Sequence, residues 1–302
     1  MSLQIIPSGA PLGHELRGVD LAQPVPDALF AEIEAAYDRF GVIVFRDQRL
    51  TPEQQIAFSR RFGPLAQYTL AQYNMPGHPE IFVASNVVVD GKPLGMADAG
   101  RYWHTDMWIT ANPPRGSALY ALEVPIGADG IARGDTWFAS TAAACAGLPR
   151  ELRRAIEGRQ AVFDSETYFQ SRMRRTPVDP VTGEYSEAVR KRAVQRSKNV
   201  VQKHDLIKVH PRTGRECLYF SEDAISHIDG LSAAESAPLL QALRDHITRP
   251  EYVYRHVWRV GDLVMWDNIS CLHKATGDFD LPLRRHMHRT TLASLVADPL
   301  PA

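Results

Sequence analysis

Three side chains of this sequence could bind one metal ion: His104, Asp106 and His273. Residues two apart on an extended segment project to the same side, so the imidazole of His104 and the carboxylate of Asp106 can converge. We expect His273 to complete the set from a second strand. Two histidines and one carboxylate on one face of an ion, with the other positions open, are typical of non-haem Fe(II) oxygenases. The spacing therefore predicts a metal site that handles dioxygen.

The His-X-Asp pattern alone is weak evidence, because chance produces it in a chain of this length. A second copy is present at residues 227–229, directly before Gly230. No basic or aromatic array follows this copy at a matching distance. We interpret it as a solvated turn between a strand and a helix.

A basic cluster follows His273 and contains Arg284, Arg285 and Arg289. An oxygen-activating iron needs two electrons from a co-substrate, and a keto acid such as 2-oxoglutarate can chelate the ion while its far carboxylate needs a cation. Arginine suits a carboxylate because the guanidinium bonds both oxygens and stays charged. On a strand, Arg285 and Arg289 face the same way and Arg284 the other. The alternative is a charged outer strand face.

The sequence resembles the taurine and 2,4-dichlorophenoxyacetate dioxygenases, the TauD/TfdA family, which depend on Fe(II) and 2-oxoglutarate. The matching segments are residues 18–21, 42–46, 55–64, 103–106, 134–136, 210–215, 261–268 and 288–291. These motifs occur in order and span most of the chain. The resemblance implies that the three candidate ligands bind Fe(II), and that O2 and 2-oxoglutarate are co-substrates.

The resemblance also assigns roles around the metal. Thr136 and Arg285 would hold the far carboxylate of 2-oxoglutarate, and Arg289 would lie near the other end of the co-substrate or the acidic group of the substrate. The loop before the basic cluster is one residue longer than in the taurine enzymes, which leaves Arg284 or Arg285 open. Strand parity favours Arg285.

A partial likeness in the N-terminal half points to superfamily members that oxidise N-substituted amino acids to isonitriles. It is carried by residues 80–87, 101–103 and 133–134 together with two tyrosines. By this likeness Tyr68, Tyr73, Asn86 and Arg133 would line the substrate pocket. The alternative for the tyrosines is simple packing. The taurine enzymes place a sulfonate-binding histidine at position 68, which disfavours taurine itself.

Composition indicates an ordinary globular enzyme. The 302 residues are 44% hydrophobic, so we expect one domain over residues 1–302. The formal net charge is −1, so we expect no electrostatic attraction to nucleic acid or to a membrane. Three cysteines form no CxxC pair, and no signal or membrane-spanning segment is evident, so we expect a cytoplasmic protein. The resemblance is compatible with a homodimer or homotetramer.

The elements that must position these residues are mostly strands with flanking helices. Apolar spacing predicts helices over 26–40, over 52–62 with Thr51 as N-cap, and over 233–246. Strands are predicted at 41–45, 117–123, 160–164, 206–209, 217–220 and 252–258. This order suits a double-stranded β-helix, or jelly roll.

Residues 164–203 show no clear periodicity and are predicted to be a lid over the substrate or a surface insertion. The function predicted from these observations is oxidation of a small organic anion, such as an aryloxyalkanoate or a sulfonate, with release of succinate and CO2. One alternative is the same chemistry on an N-substituted amino acid. Alternatives from other classes are a non-catalytic zinc-binding jelly-roll protein and a hydrolytic metalloenzyme.

Overall fold

The computed structural model describes residues 3–67, 71–97, 100–175 and 199–294. The α-helices are α1 Asp27–Phe40, α2 Pro52–Arg60, α3 Thr141–Ala146, α4 Arg150–Ile156, α5 Ser165–Arg175 and α6 Ala233–Ile247. The strands are β1 Gln4–Ile6, β2 His14–Arg17, β3 Val42–Phe45, β4 Leu65–Ala66, β5 Asn74–Met75, β6 His78–Ser85, β7 Val88–Val89, β8 Lys92–Pro93, β9 Gly116–Glu123, β10 Thr136–Ser140, β11 Gln160–Asp164, β12 Val201–Asp205, β13 Ile207–Val209, β14 Glu216–Leu218, β15 Ile225–Ile228, β16 Val253–His256, β17 Leu263–Asp267, β18 Cys271–Ala275 and β19 His286–Leu292.

Two sheets form the core of the molecule. The main sheet has the order β1-β2-β3-β17-β9-β19-β6-β5, with β4 beside β19, and the minor sheet has the order β16-β10-β18. They share an apolar cluster to which the main sheet contributes Val44, Phe82 and Leu119, and the minor sheet Phe138. The predicted jelly roll, mostly β with flanking helices, is confirmed.

Strand β3 shows how the sequence builds these layers. Its four residues are all buried, which explains their unbroken apolar run. Val44 points into the cluster between the sheets, whereas Ile43 and Phe45 belong to a second cluster under α1 and α2. Helix α1 contributes Ile33 and Tyr37 to that cluster, and each fully buried side chain of this size stabilises the fold by roughly 1.5–3 kcal/mol.

The predicted helices match the structure closely at their N-termini. Thr51 caps α2 in a capping box with Gln54, and Ser232 caps α6 in another with Glu235. Helix α1 ends at Gly41, whose φ of 70° is the left-handed conformation that favours glycine. Helix α2 ends at Arg60, two residues before the predicted end at residue 62.

Two sequence predictions need correction. Within the segment predicted to be irregular, residues 164–203, the structure has helix α5 and strand β12; residues 176–198 lie outside the described residues. The second His-X-Asp triplet is only in part a turn, since His227 and Ile228 belong to β15 in a third sheet of order β12-β11-β15. No helix in the described parts of the chain is long and apolar enough to cross a membrane.

Candidate active site

The three candidate metal ligands meet inside the jelly roll. His104 and His273 exchange two backbone hydrogen bonds of 3.1 and 3.0 Å, which set their rings 4.2 Å apart. Oδ1 of Asp106 lies 3.7 Å from Nε2 of His104 and 3.8 Å from Nε2 of His273. Among the described residues, this is the one group of three or more His, Cys, Asp or Glu side chains whose ligand atoms all lie within 4.8 Å of one another.

The backbone reaches this arrangement through a turn rather than through the extended segment that the sequence suggested. His104 forms an isolated bridge with His273, and the chain then turns at Asp106, with Met107 at a φ of 56°. The buried hydroxyl of Thr105 donates to the carbonyl of Asn268 at 2.6 Å, just after β17. This bond fastens the turn to the main sheet.

The surroundings of each imidazole orient its ring. Nδ1 of His104 lies 2.7 Å from the carbonyl oxygen of Tyr102, which can only accept, so Nδ1 donates to it and Nε2 is the nitrogen left to face a metal. His273 packs against the rings of Trp266 and Phe138, at 4.7 and 6.1 Å. Burial, reinforced by the charge of His104, lowers the pKa of His273 to about 3. It is therefore a neutral imidazole, the form that binds metals.

Asp106 is buried but remains ionised. Burial alone would raise the pKa of Asp106. The charge of Arg289, the two histidines and a hydrogen bond from Ser117 together outweigh burial, so the pKa falls well below the usual range. Nη1 of Arg289 lies 3.3 Å from both carboxylate oxygens, and Oγ of Ser117 donates to Oδ2 at 3.1 Å. The cluster thus offers two imidazoles and one carboxylate.

The two adjacent arginines before β19 face opposite ways, as strand parity predicts. Arg284 is exposed and forms a double ion pair with Glu123, at 2.7 and 2.9 Å. The Nε of Arg285 is buried and has no hydrogen-bond partner among the described residues. Burial lowers the pKa of Arg285 to about 10, which still leaves it charged at neutral pH. A buried cation of this kind suits an anionic ligand.

Arg285 lies beside the segment that leads into β10. Gly134 has a φ of 75°, and a Cβ added there would lie 3.3 Å from Cδ of Arg285 and 2.8 Å from the ring of Phe279. Two residues further on, Thr136 is buried, and its Oγ1 accepts a hydrogen bond of 3.0 Å from Nε1 of Trp258. That bond leaves the hydroxyl proton of Thr136 available for another acceptor.

Comparison with known proteins identifies the family. The description "Taurine catabolism dioxygenase TauD, TfdA family" matches residues 4–291. The chain belongs to this family. It is 36% identical, over 90% of its length and 91% of the relative's, to the alpha-ketoglutarate-dependent 2,4-dichlorophenoxyacetate dioxygenase of Cupriavidus pinatubonensis. It is 32% identical to the alpha-ketoglutarate-dependent sulfate ester dioxygenase of Pseudomonas putida, over 98% and 91% of the two chains.

A solved structure gives the same result. The crystal structure of AAD-2 in complex with Mn(II) and N-oxalylglycine is 30% identical, covers all of both chains and has a TM-score of 0.77. This member of the TauD/TfdA family is therefore an oxidoreductase that uses 2-oxoglutarate (alpha-ketoglutarate) and O2. The non-catalytic and hydrolytic alternatives have no support among these relatives.

Asn86, which was predicted to line the substrate pocket of this dioxygenase, is hydrogen-bonded to the backbone of the segment before β19. Its Nδ2 donates to the carbonyl of Leu283 at 2.8 Å, and its Oδ1 accepts from the backbone N–H of Arg285 at 2.8 Å. The side chain thereby fastens the segment that carries Arg285. Tyr68 lies outside the described residues.

Tyr73 and Arg133, which were also predicted to line the substrate pocket, differ in their positions. The ring of Tyr73 lies 6.2 Å from that of Phe82, and the guanidinium of Arg289 lies 4.8 Å from the ring of Phe82. The ring of Phe82 therefore links Tyr73 to Arg289. Arg133 pairs with Asp129 at 2.5 Å in its own loop. None of the contacts that the structure gives Arg133 reaches the metal ligands.

Sequence reasoning missed two hydroxyls that hold the carboxylate ligand in place, those of Thr105 and Ser117. Both residues are almost fully buried, at 1% and 0% exposure. A signal for Ser117 existed, because it is a polar residue in a strand where Leu119 and Ala121, on the same face, are apolar. A lone buried hydroxyl in such a row must find an acceptor.

Proposed function

We propose that this dioxygenase binds Fe(II) through His104, Asp106 and His273 and couples the conversion of 2-oxoglutarate and O2 to succinate and CO2 with oxidation of a small organic anion. The observation that carries the proposal is the convergence of three suitable donor atoms within 4.8 Å of one another. The charged Arg285, whose Nε is buried beside the segment that leads into β10, supports it.

The donor set fits Fe(II) by its chemistry. Two imidazoles in the neutral form and one carboxylate are the ligands that this ion takes in oxygenases, with further positions open. Bound Fe(II) would supply the activation of O2, which the side chains of the protein cannot perform themselves. The contribution of the chain is to fix the ligands: the carbonyl of Tyr102 orients His104, and the rings of Trp266 and Phe138 keep water from His273.

Arg285 and Thr136 would bind the far carboxylate of 2-oxoglutarate. A guanidinium can bond both oxygens of a carboxylate, and a threonine hydroxyl can donate a third hydrogen bond. Two features support this use: Nε of Arg285 is buried with no partner among the described residues, and the hydroxyl proton of Thr136 is not used in its bond to Trp258. Asn86 and Gly134 would keep Arg285 in place.

The primary substrate would be an aryloxyalkanoate, a sulfonate or a sulfate ester. The relatives named for 2,4-dichlorophenoxyacetate and for sulfate esters support this class, since both kinds of compound are small organic anions. Arg289, stacked on Phe82, offers a cation and an aromatic surface beside Asp106. Hydroxylation of the carbon between an ether oxygen and a carboxylate gives a hemiacetal, which breaks to an alcohol and a 2-oxoacid.

The experiment that tests this function measures succinate release from 2-oxoglutarate with Fe(II) and O2. The panel contains aryloxyacetates, alkyl sulfates, alkyl sulfonates and N-substituted amino acids, with the Asp106→Ala variant as the blank. We expect at least one of the first three classes to stimulate succinate release, with one oxidised product per succinate. Stimulation by N-substituted amino acids alone would move the enzyme to the isonitrile-forming branch, and no stimulation by any class would contradict the proposed substrate.

We also propose that residues 1–302 form one domain, with a lid at about 164–203, and that the protein is a cytoplasmic homodimer or homotetramer. All three cysteines are free and buried, which suits a reducing compartment. Limited proteolysis with and without 2-oxoglutarate tests the lid, because unchanged cleavage across residues 164–203 would contradict it.

A further inference from the structure

The two oxygens of the Asp106 carboxylate have different surroundings. Oδ1 is the oxygen nearest to both imidazoles, at 3.7 Å from His104 and 3.8 Å from His273. Oδ2 accepts the hydrogen bond from Ser117 at 3.1 Å. Arg289 does not distinguish them, since its Nη1 is 3.3 Å from each. Ser117 therefore bonds the oxygen that is turned away from the imidazoles.

The structure holds Ser117 rigidly. It is fully buried on β9, in the middle of the main sheet, where it pairs with Trp266 on one side and Thr291 on the other. Its neighbour Gly116 allows an unusually close approach of β9 and β17, because a Cβ on Gly116 would lie 2.1 Å from the carbonyl oxygen of Trp266 and 2.0 Å from the hydroxyl of Tyr37. The backbone that carries the hydroxyl cannot shift without breaking this contact.

We propose that Ser117 is a positioning residue that holds Oδ2 of Asp106 so that Oδ1 alone faces the metal. The inference rests on the proposed metal site and adds to it the choice of donor atom. A carboxylate that offers one oxygen leaves more positions for the keto acid and O2 than one that offers two. Hydrogen bonds to metal ligands of this kind typically contribute 10- to 100-fold to metal affinity.

The chain offers a matched control for a substitution at Ser117. Ser59 on α2 is also fully buried, and its Oγ lies 2.7 Å from Oγ1 of Thr290. It packs against the opposite face of the main sheet, on the side of the helices. Ser59→Ala thus removes a buried, hydrogen-bonded hydroxyl without touching the carboxylate ligand.

The test measures the affinity of the full chain for Mn(II) alone by electron paramagnetic resonance, which does not depend on turnover. We expect Ser117→Ala to weaken Mn(II) binding about 10- to 100-fold. Ser59→Ala should bind Mn(II) like the wild type, and Ser117→Thr, which keeps the hydroxyl, should recover part of the affinity. Thermal unfolding without metal checks that each variant is folded; if Ser117→Ala is not, Ser117→Cys keeps the size with a weaker donor and should lie between Ala and the wild type.

The outcomes separate the two levels of the proposal. Wild-type affinity in folded Ser117→Ala, or in Ser117→Cys when the alanine variant does not fold, would overturn the role of Ser117 and leave the metal site intact. Equal losses in Ser117→Ala and Ser59→Ala would also overturn it, because the effect would then be general loosening. A wild-type chain that binds no Mn(II) would overturn the metal site as well.

Discussion

The chain contains the same triplet pattern twice, at residues 104–106 and 227–229, and the fold gives the two copies opposite surroundings. Asp106 is 8% exposed, and its carboxylate lies among two imidazoles, a guanidinium and a hydroxyl. The side chain of Asp229 is 43% exposed and pairs with Lys203 at 2.8 Å. Identical residue types at identical spacing therefore do not make a metal site without the partners that other strands supply.

The middle residue of each triplet shows how this difference arises. Ile228 is fully buried in the third sheet, so strand alternation turns its neighbours toward the surface. Thr105 is equally buried, but its hydroxyl is bonded to Asn268, and the turn that follows directs its neighbours into the jelly roll. A polar middle residue anchored to the main sheet thus accompanies the functional copy.

Removal of the two carboxylates should have the most unequal effects. We expect Asp106→Ala to lower kcat/KM by roughly 10³-fold or more, because a metal ligand and several kcal/mol of transition-state stabilisation are lost. Asp229→Ala should retain full activity. Steady-state succinate release measures both, and similar losses in the two variants would contradict the assignment of residues 104–106.

The paired arginines before β19 provide the second contrast. Arg285→Ala should raise the KM for 2-oxoglutarate roughly 100-fold, the equivalent of about 3 kcal/mol for a buried charge contact that is lost. Arg284→Ala removes only the exposed pair with Glu123 and should leave that KM unchanged. An effect of Arg284→Ala larger than that of Arg285→Ala would mean that the register of β19 is assigned wrongly.

Buried histidines outside the site should make the fold sensitive to acid. Burial lowers the pKa of His204 to about 4, below the usual 6.5, so the unfolded chain takes up a proton that the folded chain does not. Stability should therefore be full above pH 6.5 and fall as the pH drops toward 4, by at most about 3 kcal/mol for this residue. Burial also lowers the pKa of His288 to about 4, so this residue adds to the same pH dependence.

The substitution that isolates this effect is His204→Gln, which can keep a donor toward the carbonyl of Trp108. Urea unfolding at several pH values between 7.5 and 5 should show a shallower pH dependence than the wild type. His227→Gln, at a half-buried histidine of the second triplet, serves as the control. An unchanged slope in His204→Gln would show that this histidine does not cause the acid sensitivity.

The smallest expected effect concerns the middle residues. Thr105→Val leaves the carbonyl of Asn268 without its 2.6 Å hydrogen bond and should cost about 1–2 kcal/mol of unfolding free energy. Ile228→Val should cost about 1 kcal/mol through lost packing. Only Thr105→Val should also weaken Mn(II) binding. Equal Mn(II) affinities in the two variants would show that the Thr105 anchor does not position the ligands.

The sequence was sufficient where local pattern and register decide the structure. The helix that Thr51 caps, the buried strand of residues 42–45 and the opposite directions of Arg284 and Arg285 all follow from periodicity and capping chemistry. No local pattern joins His104 with His273, which are far apart in sequence; His273 was predicted from its place before the basic cluster, and the family resemblance agreed with that choice.

Other features depend on tertiary contacts that leave no sequence signal. The turn at Asp106 is held by the hydrogen bond from the hydroxyl of Thr105 to the carbonyl of Asn268. The hydrogen bonds of Asn86 to the backbone form only once the end of β6 lies beside the segment before β19. The pair between Arg133 and Asp129 likewise follows from the shape of their loop. For these residues, side-chain type alone predicted a polar role but not the partner.

The most direct test of the account is an anaerobic titration of the wild-type chain with Fe(II) and 2-oxoglutarate, followed by visible absorption. The account predicts a weak visible band of the keto-acid chelate that saturates at one equivalent of each, persists in Asp229→Ala and is lost in Asp106→Ala. A wild-type chain without this band that instead retains Zn(II) tightly would contradict it.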